Sequence, residues 1–192
     1  MRSVIYGAAC SLDGFIAGPN GEIDWLQFSN DVRAYMDSFW PRVDTLIMGR
    51  KTYEVSLGHG GGRMPGIKAA YVFSRTLTSV TKGFELVTGD AAAFVRDLKG
   101  RDGKDICLWG GGDFARSLLD AGVVDEVGLN IHPILLGAGM PMFGVGGSRV
   151  SLTLAENKTI AGGCVLATYT TNTSQTTIPR LKRAGRSATS RS

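Results

Sequence analysis

Three short runs of this 192-residue chain carry residue types suited to holding a polyanion. Gly49-Arg50-Lys51-Thr52 follows the apolar run Leu46-Ile47-Met48 and reads as the opening of a helix. A helix start offers free backbone N–H groups and the positive end of its dipole to a phosphate. Thr52 adds a hydroxyl, and Arg50 and Lys51 add charge suited to a phosphomonoester. Ser74-Arg75, directly after Tyr71-Val72-Phe73, again places a hydroxyl and a guanidinium at a strand end. Gly110-Gly111-Gly112 precedes another helix, and its missing side chains let a pyrophosphate approach the backbone. Each run alone is commonplace. Their joint placement, each at the C-terminal end of an apolar strand, points to a phosphate-bearing cofactor. The pattern is not GxGxxG, so a standard dinucleotide fingerprint is absent.

The elements that must position these runs follow from periodicity. Ser3 to Cys10 is a short apolar run with little charge, the pattern of a strand buried on both faces. Ser29 caps a helix through Phe39 whose Val32, Tyr35, Met36 and Phe39 share one face, and Pro41 ends it. Strands follow at Thr45 to Met48, Ala69 to Phe73 and Glu85 to Val87. Asp90 to Lys99 reads as a helix, Asp105 to Trp109 as a strand and Asp113 to Ala121 as a helix with Gly122 as its C-cap. Strand and helix in alternation imply parallel strands with crossover helices. After Asp125 the style changes. Glu126 to Pro133, Val150 to Thr159 and Cys164 to Thr171 read as strands with no helix between, an antiparallel addition to one edge. Trp40 and Trp109 are assigned to the core.

Length and composition fit one soluble α/β domain over residues 1–173. The net charge of +4 lies in the tail: residues 174–192 hold Arg180, Lys182, Arg183, Arg186 and Arg191 and no acid. The rest carries sixteen basic against seventeen acidic residues, about −1. The tail is Ser/Thr/Arg-rich and expected to be disordered, so nucleic acid is not an expected partner. Cys10, Cys107 and Cys164 are odd in number and far apart, which argues for a reducing, cytoplasmic setting and against a disulfide framework. His59 and His132 have no second ligand at metal spacing, so no metal site is expected. No apolar run is long enough to span a bilayer.

A family resemblance joins these runs. Ile47-Met48-Gly49-Arg50-Lys51-Thr52-Tyr53-Glu54 resembles the helix-opening segment of dihydrofolate reductases. The Ser74-Arg75 step and the Gly110 to Gly112 loop are similar to the other cofactor loops of that fold, in the same order. Ser11-Leu12-Asp13-Gly14-Phe15-Ile16-Ala17 resembles the opening of the reductase domain of riboflavin biosynthesis. Gly122-Val123-Val124-Asp125-Glu126 and Pro133-Ile134-Leu135-Leu136-Gly137 do so too. The resemblance spans residues 3–171. It implies a dihydrofolate-reductase-like three-layer α/β fold, with a mostly parallel central sheet, antiparallel C-terminal strands and flanking helices.

The resemblance further implies NADPH along the strand C-terminal ends. Gly49, Arg50, Lys51, Thr52 and Ser74 would hold phosphates, with Arg50, Lys51 and Arg75 favouring the 2′-phosphate. Gly110, Gly111 and Gly112, with Asp113 beside them, would support the pyrophosphate and nicotinamide ribose. Ala8 and Ile16 would contact the nicotinamide, within a mobile flap running from Ala8 to Ala17. Asp31 matches the substrate-binding carboxylate of dihydrofolate reductases, and Asp13 lies in the matched opening motif, so both are candidate catalytic residues. Each also has a structural reading: Asp31 as an acid favoured by a helix dipole, Asp13 as a hairpin-turn residue. Trp25 and Tyr35 would line the substrate pocket. The implied activity is hydride transfer to a small heterocyclic or ribosyl substrate, as in the aminouracil ribosyl-phosphate reductase of riboflavin synthesis. Dihydropterin reduction is the alternative, and a non-catalytic nucleotide-binding protein is the reading of another class. Homodimerisation is expected, both from the family and because an antiparallel edge must be covered.

Overall fold

The computed structural model describes residues 1–58 and 65–172, so His59 and the basic tail lie outside the described residues. Ten strands and four α-helices follow one another in the described chain. They are β1 Val4–Ser11, β2 Phe15–Ala17, α1 Asn30–Phe39, β3 Val43–Gly49, α2 Arg50–Gly58, β4 Ala69–Phe73 and β5 Glu85–Val87. Then come α3 Ala91–Gly100, β6 Asp105–Gly110, α4 Gly112–Asp120, β7 Glu126–His132, β8 Met140–Pro141, β9 Leu152–Thr159 and β10 Val165–Thr171. Eight strands form one sheet in the order β5-β4-β3-β6-β1-β7-β10-β9, and β2 pairs with β8 in a separate ribbon. Pairing is parallel from β5 to β7, and antiparallel for β7 with β10 and β10 with β9. The expected α/β architecture, with antiparallel strands at its C-terminal edge, is the one observed.

Alternation along the strands builds two cores. Val4, Tyr6, Ile47, Ile106, Leu108 and Val127 pack with Val95 and Leu98 of α3 and Ala115, Leu118 and Leu119 of α4. Ile5, Leu46, Met48, Val72 and Cys107 point the other way and pack with Phe39 of α1 and Tyr53 of α2. The sheet is therefore the middle layer of three. Each fully buried Leu or Val in these stripes contributes roughly 2 kcal/mol of transfer free energy. Trp40 and Trp109 pack beside the second core with ring centroids 5.7 Å apart.

Helix starts follow local chemistry. Ser29 accepts from Val32 N–H at 3.3 Å, and Asp90 Oδ1 accepts from Ala92 and Ala93 N–H at 2.8 and 3.1 Å. Gly122, at φ +65°, closes α4 by donating to Leu119 O. Pro41 does not stop the chain from turning after α1; it sits in a 3-10 turn, Trp40–Arg42, that leads into β3. At the opposite end of the sheet from the candidate cofactor loops, Arg2 is buried against Asp44 at 2.5 Å, with Thr45 Oγ1 and Lys104 O as further acceptors. No described helix is long and apolar enough to cross a membrane.

Candidate active site

Register brings the three candidate anion-binding runs side by side. Gly49 of β3 lies opposite Phe73 of β4, and Met48 lies opposite Gly110 of β6. Because these strands run parallel, Arg50, Ser74 and Gly111 leave the sheet at one edge, next to one another. Gly110 and Gly111 have φ of +132° and +89°, where a side chain is strained. A Cβ on Gly111 would stand 3.3 Å from Thr52 Oγ1, and one on Gly49 would stand 3.3 Å from Phe114 Cβ. Thr52 on α2 thus faces the glycine turn before α4, and the starts of both helices open on the same edge. The first N–H groups of each have no intrahelical acceptor, as at any helix start.

The cations differ in availability. Arg50 is held by Glu54 through two contacts of 2.7 and 2.8 Å. Lys51 and Arg75 are exposed and make no ion pair among the described residues. Ser74 is buried, and its Oγ accepts from Thr76 and Leu77 N–H at 3.1 and 3.0 Å, so it shapes the turn that presents Arg75. Gly112 is required for a different reason from its two neighbours. Its Cβ position lies 2.1 Å from Pro141 O, so its missing side chain admits the β8 backbone. Asp113 is exposed in the first turn of α4. Among the described residues, no group of three or more His, Cys, Asp or Glu stands together as a metal site.

The segment from Ala8 to Ala17 is not the free flap that the resemblance implies. Ala8 to Ser11 belong to β1, in the body of the sheet beside β7. The remainder is tied down: Leu12 N–H donates to Ile134 O, Met142 N–H to Gly14 O, and β2 pairs with β8. Asp13 is an anchor in this arrangement. Its Oδ1 accepts from Ser11 Oγ at 2.6 Å and Leu136 N–H at 3.2 Å, and its Oδ2 from Gly137 N–H at 2.8 Å. The Ser11 hydroxyl above all, with the Gly137 and Leu136 amides, holds the Asp13 carboxyl below the usual range. Ala8 and Ile16 both pack against the core on the α3/α4 side.

On the opposite face, α1 roofs β1 and β7, with Tyr35 reaching over two facing glycines. Gly7 and Gly128 lie opposite each other, as do Ala9 and Asn130. A Cβ on Gly7 would meet only Gly128 O, at 3.8 Å, and one on Gly128 would stand 3.3 Å from the Tyr35 hydroxyl. Burial pushes the Tyr35 pKa up, so the hydroxyl keeps its proton. Asp31, at the start of α1, accepts from Ala161 N–H through Oδ2 at 3.1 Å, and its Oδ1 is 3.8 Å from Lys158 Nζ. Trp25 is half-buried and packs edge-on against His132, with centroids 5.3 Å apart. Tyr35 and Asp31 thus share this roof, while Asp13 serves a different segment.

Two residues on this face of β7 escaped the sequence reading. His132 is buried; its Nε2 accepts from Gln27 N–H at 3.1 Å and its Nδ1 lies 3.2 Å from Asn130 O. This pattern requires the neutral ring with its proton on Nδ1. The Oδ1 of Asn130 is buried without a hydrogen-bond partner among the described residues. The signal was present as strict alternation in Glu126-Val127-Gly128-Leu129-Asn130-Ile131-His132, which puts every polar residue of β7 on the α1 face.

Comparison with known proteins agrees with this geometry. The profile of the RibD C-terminal domain matches residues 2–166. An uncharacterised Bacillus subtilis (strain 168) protein, YyaP, is 32% identical over 179 residues, covering 88% of this chain and 94% of its own. The crystal structure of a putative riboflavin biosynthesis protein from Shewanella sp. PV-4 superposes with a TM-score of 0.77 at 30% identity, covering 88% of this chain and 99% of its own. Dihydrofolate reductase from Enterococcus faecalis, complexed with NADP(H), shares the fold, with a TM-score of 0.64 at 15% identity over 88% of this chain and 96% of its own.

Proposed function

The chain belongs to the RibD C-terminal domain family, and from that premise we propose that it is an NADPH-dependent reductase of a small heterocyclic or ribosyl substrate. The observation that carries this reading is the adjacency of the three candidate anion-binding runs at one sheet edge, with Lys51 and Arg75 exposed beside them and without an ion pair among the described residues. The glycine turn at Gly110 and Gly111 and the two helix starts present backbone N–H groups at this edge, so the residues present fit a diphosphate. Gly49, Thr52, Gly110 and Gly111 would hold its phosphates. Lys51 and Arg75 would hold the 2′-phosphate, with Arg50 recruited from Glu54. When bound, NADPH supplies the hydride.

The chain's own residues then orient the acceptor and move a proton. A carbonyl or imine carbon would be presented from the α1 face of β1 to a nicotinamide at the strand C-terminal ends; the Ala8 and Ile16 side chains pack into the core on the other face, so these two residues would support the nicotinamide through their backbone alone. Asp31 Oδ1, whose one ion-pair partner among the described residues is the exposed Lys158, is the carboxylate oxygen left to relay the proton. Asp13, with both oxygens engaged, is a positioning residue that fixes the segment next to Ile16. Candidate acceptors are an aminouracil ribosyl-phosphate, through its opened sugar carbonyl, and a dihydropterin, through its C=N bond. A homodimer and a cytoplasmic, reducing setting complete the reading; Cys10, Cys107 and Cys164 are all buried free thiols.

The test is oxidation of NADPH with each acceptor, followed by loss of nicotinamide absorbance, in the natural chain and in Asp31→Asn. The account expects the variant to lose roughly 100-fold in kcat while NADPH affinity is retained. Unchanged kcat would remove Asp31 from the proton path, and absence of NADPH oxidation with every acceptor would remove the reductase reading.

A further inference from the structure

We propose that His132 is a positioning residue: it fixes the lead-in to α1 and, through the turn between β9 and β10, the orientation of the Asp31 carboxylate. This rests on the proton-relay role given to Asp31 above and adds the residue that holds Asp31 in place.

Both ring nitrogens of His132 are used inside the protein. Nε2 accepts from Gln27 N–H at 3.1 Å and Nδ1 donates to Asn130 O at 3.2 Å, so neither is left for a ligand. The donor to Nε2 is a backbone amide, which can only donate, so the position must supply an acceptor. Trp25 packs edge-on against the ring, and its own Nε1–H donates to Glu22 O at 3.2 Å. The segment before α1 is thus seated on the imidazole at Trp25 and Gln27. Ser29 caps the helix two residues later, and Asp31 lies in its first turn.

The turn Ala161–Gly163 completes the circuit. A Cβ on Gly162, at φ +77°, would collide with Gln27 Oε1. One on Gly163, at φ +75°, would stand 3.6 Å from Pro133 Cγ. The turn therefore lies between Gln27 and the residue that follows His132. From there Ala161 N–H donates to Asp31 Oδ2 at 3.1 Å. Among the described residues this amide is the hydrogen-bond donor to a carboxylate that is otherwise half-exposed, with Lys158 at 3.8 Å. Asp31 is then only as well oriented as the turn that carries the amide, and the turn only as well as the Gln27 segment held by His132. A reacting group displaced by about 1 Å loses rate on the order of 100-fold, so a partial loosening is expected to be felt in kcat.

Steady-state NADPH oxidation by the full chain, with a dihydropterin and an aminouracil ribosyl-phosphate as acceptors, tests this in three variants. His132→Leu removes the acceptor for Gln27 N–H, and His132→Gln restores one. Ala161→Pro removes the N–H that Asp31 accepts, at an exposed position opening a 3-10 turn, a setting that already takes Pro41 elsewhere in the chain. His132→Leu and Ala161→Pro should each lower kcat about tenfold with the KM for NADPH within about twofold, and His132→Gln should recover most of kcat. Amide hydrogen exchange in His132→Leu should quicken at Ala161 as well as at Gln27, which a purely local role would not produce. A natural kcat in His132→Leu or Ala161→Pro, equal loss in His132→Leu and His132→Gln, or unchanged exchange at Ala161 would overturn the inference. If His132→Leu fails to fold, Ala161→Pro decides, a tenfold loss supporting the inference and a natural kcat overturning it. A natural kcat in Asp31→Asn would instead remove the role of Asp31, and no NADPH oxidation with either acceptor the reductase reading, while the exchange result still decides whether His132 holds the turn.

Discussion

The Thr52 hydroxyl stands 3.3 Å from the point that a Cβ on Gly111 would occupy, so the first turn of α2 and the glycine turn before α4 form one continuous surface. These residues are nearly sixty positions apart in sequence. They meet because β3 and β6 are parallel neighbours whose ends are in register. The candidate phosphate-binding edge is thus a property of strand order as much as of the runs themselves.

Gly111→Ala should disturb this surface directly. Its φ of +89° costs an L-residue about 1–2 kcal/mol, and the added methyl crowds Thr52. Chemical denaturation should show a loss of that size, with NADPH affinity falling by about tenfold or more. Retained affinity would mean that the turn does not line the cofactor site.

The buried pair Arg2–Asp44 gives the fold a pH-dependent clamp. Burial acts to raise the Asp44 pKa, but the Lys104 amide, the Thr45 hydroxyl and the Arg2 guanidinium outweigh it, and the net direction is downward. A carboxyl whose folded pKa is depressed stabilises above its unfolded value and loses that contribution as pH falls through the folded one. Asp44→Ala should cost about 3 kcal/mol near neutral pH, because Arg2 is left buried without its partner. The deficit relative to the natural chain should shrink as pH is lowered through the acid range. Urea titrations across that range check both the size and the sign.

The long edge strand predicts association. Every residue of β9 is exposed, including Leu152 at 39% and Leu154 at 49%, and one side of the strand has no neighbour in the sheet. An edge of this length and apolarity is ordinarily covered. Light scattering should give a dimer at micromolar concentration, and Leu154→Lys should shift it to monomer. A natural chain that scatters as a monomer contradicts the expectation.

Legibility in the sequence varied with the source of each feature. Strands such as Ala69–Phe73 and Glu85–Val87 were readable to the residue, because short apolar runs were bounded by polar or glycine-rich turns. Helix starts at Ser29 and Asp90 were readable from side chains that cap their own backbone. The ribbon of β2 and β8 was not, since strands of three and two residues exist only through their pairing with each other. Val43 and Asp44 extend β3 beyond its apolar run because Asp44 is compensated by Arg2, more than forty residues away. The cofactor loops were visible as runs, but not which glycine does what. Gly112 looks like its neighbours in sequence, yet it makes room for Pro141 O. Asn130 and His132 lay in a plain period-two alternation that was read as a strand and no further.

The most direct test of the central claim is titration of the purified chain with NADPH and NADH, followed by nicotinamide fluorescence, with Lys51→Ala/Arg75→Ala as comparison. The account predicts tighter binding of NADPH than of NADH by about tenfold or more, and loss of most of that preference in the double variant with NADH affinity unchanged. Equal affinity for the two nucleotides, or no binding of either, would contradict it.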